Sequence, residues 1–273
     1  MKTRIIAAVI FVPLIFIVLF FLPAYVLAGV VSLICAISAY ELLHAVGGKQ
    51  NGRARTYAVL SAVIIPIGTY FGISGIVFPA VFLILMSLMF FEAIISFNKA
   101  HKITFAQVLT TLFAGALIPL MMSSLVGLKL LPNGHLLVLL PIISAFLTDG
   151  AAYFTGMMIG KKKAFPSVSP KKTIEGCIGG LIIGTLGMII FGVVIVFGAS
   201  LPVLFWALIL YGLLGSVFSQ LGDLSFSLIK REFEIKDYGK LIPGHGGMLD
   251  RFDSMIFVAP AIYLLVRFIP AIL

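Results

Sequence analysis

Asp223 stands inside the apolar run Pro202–Ile229. A carboxylate there is costly and marks a candidate for function. Ser216, Ser219, Gln220, Asp223 and Ser227 recur at helical spacing, so they form one polar stripe. Gly212, Gly215 and Gly222 keep nearby parts of the helix slim enough for a neighbour to approach. The serines alone fit a hydrogen-bonded seam between helices. The acid needs more, because a buried carboxylate requires a cation or a metal beside it. Asp149, in Phe146–Tyr153, is a second acid among apolar and small residues. For it a structural and a functional reading are both open.

Two polar segments supply cations. Lys161–Gly176 reads KKKAFPSVSPKKTIEG, with prolines that break a helix. Ser169, Pro170, Lys171, Lys172 and Thr173 then lead into a helix with Glu175 in its first turn. Lysines and hydroxyls at a helix N-terminus suit a phosphate, and Lys171 and Lys172 are assigned that task. Lys161, Lys162 and Lys163 read as a positive anchor. The second segment, Ser227–Asp253, reads SLIKREFEIKDYGKLIPGHGGMLDRFD. Gly244, His245, Gly246 and Gly247 permit a tight turn with N–H groups aimed at an anion. Lys230, Arg231, Lys236 and Arg251 surround that turn. His245 reads as a phosphate contact, with a general base or a turn-stabilising residue as alternatives. Asp250 and Asp253 are three apart and share a helix face. A hard divalent cation takes carboxylate oxygens together with substrate phosphates. Asp223 and Asp250 are the expected pair for it, provided the spans bearing them pack together.

The elements that carry these groups are set by composition. Of 273 residues 61% are hydrophobic and only 11% charged, against about 25% charged in soluble domains. A water-soluble globular enzyme and a disulfide scaffold are both excluded, since Cys35 and Cys177 lie in apolar runs. Continuous apolar runs of near-spanning length indicate an all-α polytopic membrane protein rather than a barrel. The expected spans are Ile5–Leu22, Tyr25–Val46, Tyr57–Phe71, Ile76–Phe97, Val108–Leu128, Leu136–Ile159, Gly176–Phe197, Pro202–Ile229 and Ser254–Leu273, about nine transmembrane helices. The first run is read as one arm of a hairpin turned at Pro23 in preference to a signal peptide. With the N-terminus cytoplasmic, all 19 basic residues except Lys129 and Arg267 fall in inside segments. The excess positive charge of +9 is thus a topology signal, compatible with attraction to anionic membrane lipids. It is not a nucleic-acid footprint, because no soluble basic domain carries it. Of the acids, only Glu41 and Glu92 precede Asp149. Residues 1–130 therefore read as a transmembrane scaffold. Residues 131–273 read as the catalytic region, with cytoplasmic loops at 160–175 and 230–250. Glu41 is undecided, a candidate to pair with a basic loop residue.

Ser227 through Asp253 resembles the signature of the phosphatidate cytidylyltransferase family, the CDP-diacylglycerol synthases. Ser227, Lys230, Arg231, Lys236, Asp237, Gly239, Pro243, His245, Gly246, Gly247, Asp250, Arg251 and Asp253 stand in register with it. Ser169–Gly176 is similar to the family's S-P-K-K-T-x-E-G stretch, and Gly222-Asp223-Leu224 to its G-D-L. One departure is Asp149-Gly150-Ala151, where family members often carry Asp-Thr-Gly, so a hydroxyl is absent beside the acid. The resemblance implies a reaction in which CTP and phosphatidate give CDP-diacylglycerol and pyrophosphate at the cytoplasmic face of the cell (inner) membrane.

The resemblance also implies Mg²⁺ on Asp223 and Asp250, with a second metal or a monovalent cation left open. It implies catalytic roles for Asp223, Asp250, Lys171, Lys172, Arg251 and His245. Substrate contacts fall to Ser169, Thr173, Lys230, Arg231, Lys236, Gly246, Gly247, Asp149, Asp237 and Asp253. A homodimer is left open. A phosphate monoester has a second pKa of about 6, so the attacking lipid phosphate needs no strong base. Catalysis then rests on positioning and charge neutralisation. Three other classes compete. A CTP-dependent lipid-alcohol kinase is opposed by the long signature, and an ion-coupled carrier using Asp149 and Asp223 by the loop cluster. A non-enzymatic scaffold is the least favoured.

Overall fold

The computed structural model describes residue 17 and residues 19–47, 52–99, 101–241 and 246–272. Eight long helices are α1 (Ala24–Gly47), α2 (Gly52–Tyr70), α3 (Ser74–Ser96), α4 (Phe105–Lys129), α5 (Gly134–Ile159), α6 (Ile174–Ala199), α7 (Phe205–Glu232) and α8 (Leu249–Phe268). Six of them, α1 and α3–α7, are long and apolar enough to cross a membrane. The other two helices coincide with expected spans, but α2 opens on Arg53 and Arg55, and α8 on Asp250, Arg251 and Asp253. The first expected run lies mostly outside the described residues. The chain is thus a helical membrane protein with six candidate spans among the described residues.

An all-α chain was expected, yet a short antiparallel hairpin joins α5 to α6. Its strands are β1 (Lys163–Phe165) and β2 (Ser169–Thr173). The prolines that bar a helix here leave the backbone extended, and the turn at 166–168 lets the two short segments pair.

The chain divides into two compact units. The first comprises residues 1–135 together with 233–252. In it α1 packs on α2, and α2 on α3 and α4. Ile65, Leu85, Met89, Val108 and Leu112 belong to its core. A Cβ on Gly115 would stand 2.7 Å from the Ala58 backbone, so only glycine lets α4 approach α2 there. The helix widens to a π-turn over Phe113–Leu117. Pro119 has no N–H for the Gly115 carbonyl, and the wider turn accommodates its ring. Ile76, Leu83, Phe91 and Ile94 of α3 are exposed, a surface suited to hydrocarbon rather than water.

The second unit comprises residues 136–232 and 253–273. In it α6 packs against α5 and α7. Thr148 of α5 donates to Ser216 of α7 across 2.8 Å. Gly184 of α6 lies against both hydroxyls, where a Cβ would come within 2.5 Å of the Thr148 oxygen. Tyr211 donates to the Ile269 carbonyl at 2.6 Å, tying α7 to the end of α8. Beside Asp223, a Cβ on Gly222 would stand 2.7 Å from the Asp253 carbonyl oxygen and 3.0 Å from the Ser254 Cα. That glycine sets the close approach of the two helices bearing Asp223 and Asp253.

Candidate active site

In the second unit, the polar stripe expected on α7 is present and each member has a partner. Ser216 meets Thr148. Ser219 donates to Asp149 Oδ1 at 3.2 Å. Gln220 donates to the Cys177 carbonyl at 3.1 Å, and Ser227 reaches Asp223 Oδ1 at 3.5 Å. Asp223 Oδ2 lies 2.6 Å from the Nζ of Lys172, with both side chains largely covered. The cation that a half-buried Asp223 in an apolar helix demands is thus a lysine delivered by β2.

The strand geometry separates two residues adjacent in sequence. Successive side chains of a strand point to opposite faces. Lys171 is accordingly exposed, while Lys172 turns inward to Asp223. Thr173 ends β2 and is the N-cap of α6, its Oγ1 accepting the Gly176 N–H at 3.1 Å. Glu175, in the first turn of α6, accepts the backbone N–H of Lys161 at 3.1 Å and of Lys162 at 3.3 Å. Ser169 is half-buried at the start of β2. Arg231, at the end of α7, donates its Nε to the Val168 carbonyl at 3.2 Å and so braces the hairpin turn.

Two further acids join the network. Asp149 Oδ2 accepts the Ser254 hydroxyl at 2.9 Å, and Asp253 Oδ1 accepts the Ser254 backbone N–H at 2.8 Å. The hydroxyls around Asp149 therefore come from α7 and α8, although position 150 beside it is glycine. Asp149, Asp223 and Asp253 are close enough for their charges to repel one another, with Lys172 and Lys230 as the opposing cations.

Among the described residues no group of three His, Cys, Asp or Glu side chains is arranged to hold a metal by itself. The donor set is nevertheless hard carboxylate oxygen. That fits Mg²⁺, which usually takes one or two carboxylates and completes its shell with water and substrate phosphate.

In the first unit, residues 233–252 wrap around two carboxylates. Asp250 is buried, and its Oδ2 accepts the Tyr238 N–H at 2.9 Å and the Gly247 N–H at 3.0 Å. Glu41 of α1 is also buried. Its Oε1 accepts the Met248 N–H at 3.0 Å and its Oε2 the Leu249 N–H at 2.9 Å. Gly246 has φ +83°, a left-handed conformation that glycine adopts without strain. The N–H of Gly247, in the turn read from the sequence as facing an anion, thus faces the Asp250 carboxylate, and the N–H groups of residues 248 and 249 just after it face that of Glu41. Lys236, Asp237 and Arg251 are exposed. His245, with Pro243 and Gly244, lies outside the described residues.

Asp223 belongs to the second unit and Asp250 to the first. Sequence reasoning left Glu41 undecided. A carboxylate in an otherwise apolar helix was the available signal, but its partners are backbone groups more than two hundred residues away.

Comparisons with known proteins give relatives and a family. Over 118 residues the chain is 49% identical to the phosphatidate cytidylyltransferase of Bacillus subtilis (strain 168), covering 43% of this chain and 42% of that protein. Over 128 residues it is 45% identical to the phosphatidate cytidylyltransferase of Staphylococcus haemolyticus (strain JCSC1435), covering 47% and 48%. Over 131 residues it is 46% identical to that of Staphylococcus aureus (strain COL), again covering 47% and 48%. The aligned stretches span a little under half of each relative. A model described as the Cytidylyltransferase family matches residues 2–269, and the chain belongs to that family.

Proposed function

We propose that this protein transfers the cytidylyl group of CTP to phosphatidate, giving CDP-diacylglycerol and pyrophosphate. One observation carries the reading: residues far apart in the sequence converge in the second unit, as a Lys172–Asp223 ion pair and a neighbouring Asp149–Ser254–Asp253 cluster. Lys172 comes from the S-P-K-K-T stretch, Asp223 from G-D-L and Asp253 from the end of the long signature. Asp149 is joined to Asp253 through Ser254, and to α7 through Ser219. Relatives named phosphatidate cytidylyltransferase support the substrate assignment.

In the proposed reaction an oxygen of the lipid phosphate attacks the α-phosphorus of CTP. The bond to the β-phosphate oxygen breaks, and pyrophosphate leaves with that electron pair. Repulsion between two polyanions is the main obstacle. Lys172 is suited to this work. Its ammonium has three donors, and Asp223 is its ion-pair partner among the described residues. We assign Lys171, on the exposed face of β2, to phosphate attraction together with Lys230, Arg231, Lys236 and Arg251. His245, Ser169, Thr173, Asp237, Gly246 and Gly247 are proposed to line the substrates. Mg²⁺ is proposed on Asp223, where it would neutralise phosphate charge when bound. A metal role for Asp250 rests on the resemblance, and the structure adds that Asp250 also holds its own loop.

The finer topology is part of the same proposal: about nine spans, a cytoplasmic N-terminus and a site facing the cytoplasm. The distribution of Lys and Arg supports it. Lys129, one of the two exceptions, donates to the carbonyls of Leu19 and Phe20 at the end of the preceding helical segment. The experiment that tests the function is product analysis with purified protein, CTP and phosphatidate.

A further inference from the structure

We propose that Glu41 is a positioning residue: from α1 it fixes the turn bearing Gly246, Gly247 and Asp250, and thereby sets the rate of transfer. The inference rests on the function proposed above.

Glu41 is 6% exposed. Its two oxygens are divided between two consecutive backbone donors, Met248 at 3.0 Å and Leu249 at 2.9 Å. Leu249 is the first residue of α8, so the carboxylate also faces the positive end of that helix. Hydrogen bonds to an ionised acceptor are about twice as strong as neutral ones. Two glycines of the loop lie directly against this group. A Cβ on Gly239 would land on the Glu41 carboxylate, and one on Gly247 would stand 2.5 Å from Oε2. The backbone therefore closes on Glu41 from two sides, where a side chain would collide with the carboxylate and displace it from its donors.

Asp250 ties the same loop internally through Tyr238 and Gly247. Asp250 travels with the loop, whereas Glu41 belongs to a membrane-length helix and anchors the loop to it. A displacement of about 1 Å in a group that positions substrate can cost about 100-fold in rate. A loop anchored by a buried bidentate carboxylate is protected against such a displacement.

The test begins with wild-type protein, which must form liponucleotide from CTP and phosphatidate. If it does not, the function reading itself has failed, and the positioning role falls with it. Glu41→Gln keeps the size of the side chain but replaces one acceptor oxygen with an amide donor. Its kcat should fall roughly 10- to 100-fold, with little change in the apparent KM for either substrate. Hydrogen exchange at Met248 and Leu249 should quicken by about tenfold or more, while the rest of α1 keeps its protection.

A double-mutant cycle separates positioning from general stability. Gly239→Ala should lower kcat in the wild-type background but add little in Glu41→Ala, because the group it strikes is gone. Wild-type kcat in Glu41→Gln, or losses that add in the cycle and track the melting temperature, would overturn the positioning role while leaving the function reading intact.

Discussion

The Nζ of Lys172 lies 2.6 Å from Oδ2 of Asp223. A hairpin connecting two membrane-length helices thus delivers a cation to the acid within a third. Lys171, one residue earlier, is on the opposite face of β2 and exposed. Lys162 contributes its backbone N–H to Glu175, not its charge to the network. The three lysines should therefore differ in kind. Lys172→Ala removes the partner of Asp223 and a phosphate donor together, and kcat should fall by about 10- to 150-fold, the loss of a charge-assisted contact of roughly 1.5–3 kcal/mol. Lys171→Ala should chiefly raise the apparent KM for CTP or phosphatidate. Lys162→Ala should stay within about twofold of wild type. Steady-state kinetics on the three variants checks this, and equal losses at Lys162 and Lys172 would contradict it.

Asp223→Asn keeps the shape of the side chain while removing its charge and one anionic oxygen. The fold should persist, because Ser227 can still bond the remaining oxygen and the Gly222 contact is unchanged. Turnover should fall by orders of magnitude and should not recover at higher Mg²⁺. The measurement is a Mg²⁺ titration of turnover on well-folded variant protein. Near-wild-type kcat would reduce Asp223 to a structural hydrogen-bond acceptor.

Asp250→Asn distinguishes holding the loop from holding a metal. Asp250 Oδ2 accepts two backbone N–H groups, and an Asn oxygen in its place accepts them only as a neutral group, with bonds about half as strong as charge-assisted ones. The variant should unfold at a lower temperature and be cleaved faster within residues 233–248. Added Mg²⁺ should not reverse that loosening. Unchanged melting and protease resistance with lost turnover would favour a metal role alone.

The positions of the basic residues predict that the hairpin at Lys161–Lys172 and the loop at Lys230–Leu249 face the cytoplasm. Single cysteines placed in each, in intact cells, should resist an impermeant external reagent and react once the membrane is opened. Ready labelling from outside would reverse the topology.

Much of this arrangement was legible in the sequence because it obeys local periodicities. The stripe from Ser216 to Ser227 follows from helical spacing alone, and the start of α6 from Thr173 and Glu175. The separation of Lys171 from Lys172 was hidden. The prolines around them ruled out a helix but did not announce a strand, and only a strand places neighbours on opposite faces. Asp149 was ambiguous because the hydroxyls that bind it come from Ser219 and Ser254, on other helices. Glu41 was the least legible. Its partners are the backbone N–H groups of Met248 and Leu249, and a backbone donor leaves no mark in the residue type. The Gly-rich turn was read as an anion cradle; its Gly247 N–H does face a negative oxygen, but that of Asp250, and the next two N–H groups face Glu41.

The central claim is that the cytidylyl group, and not a terminal phosphate, reaches the lipid. The most direct measurement uses purified protein with phosphatidate and Mg²⁺ and two samples of CTP, one labelled at the α-phosphate and one at the γ-phosphate. The account predicts that α-label enters a chloroform-soluble liponucleotide in detergent, without a sealed vesicle, while γ-label leaves as pyrophosphate in equal amount. Transfer of γ-label to lipid, or no CTP-dependent lipid product from well-folded protein, would contradict it.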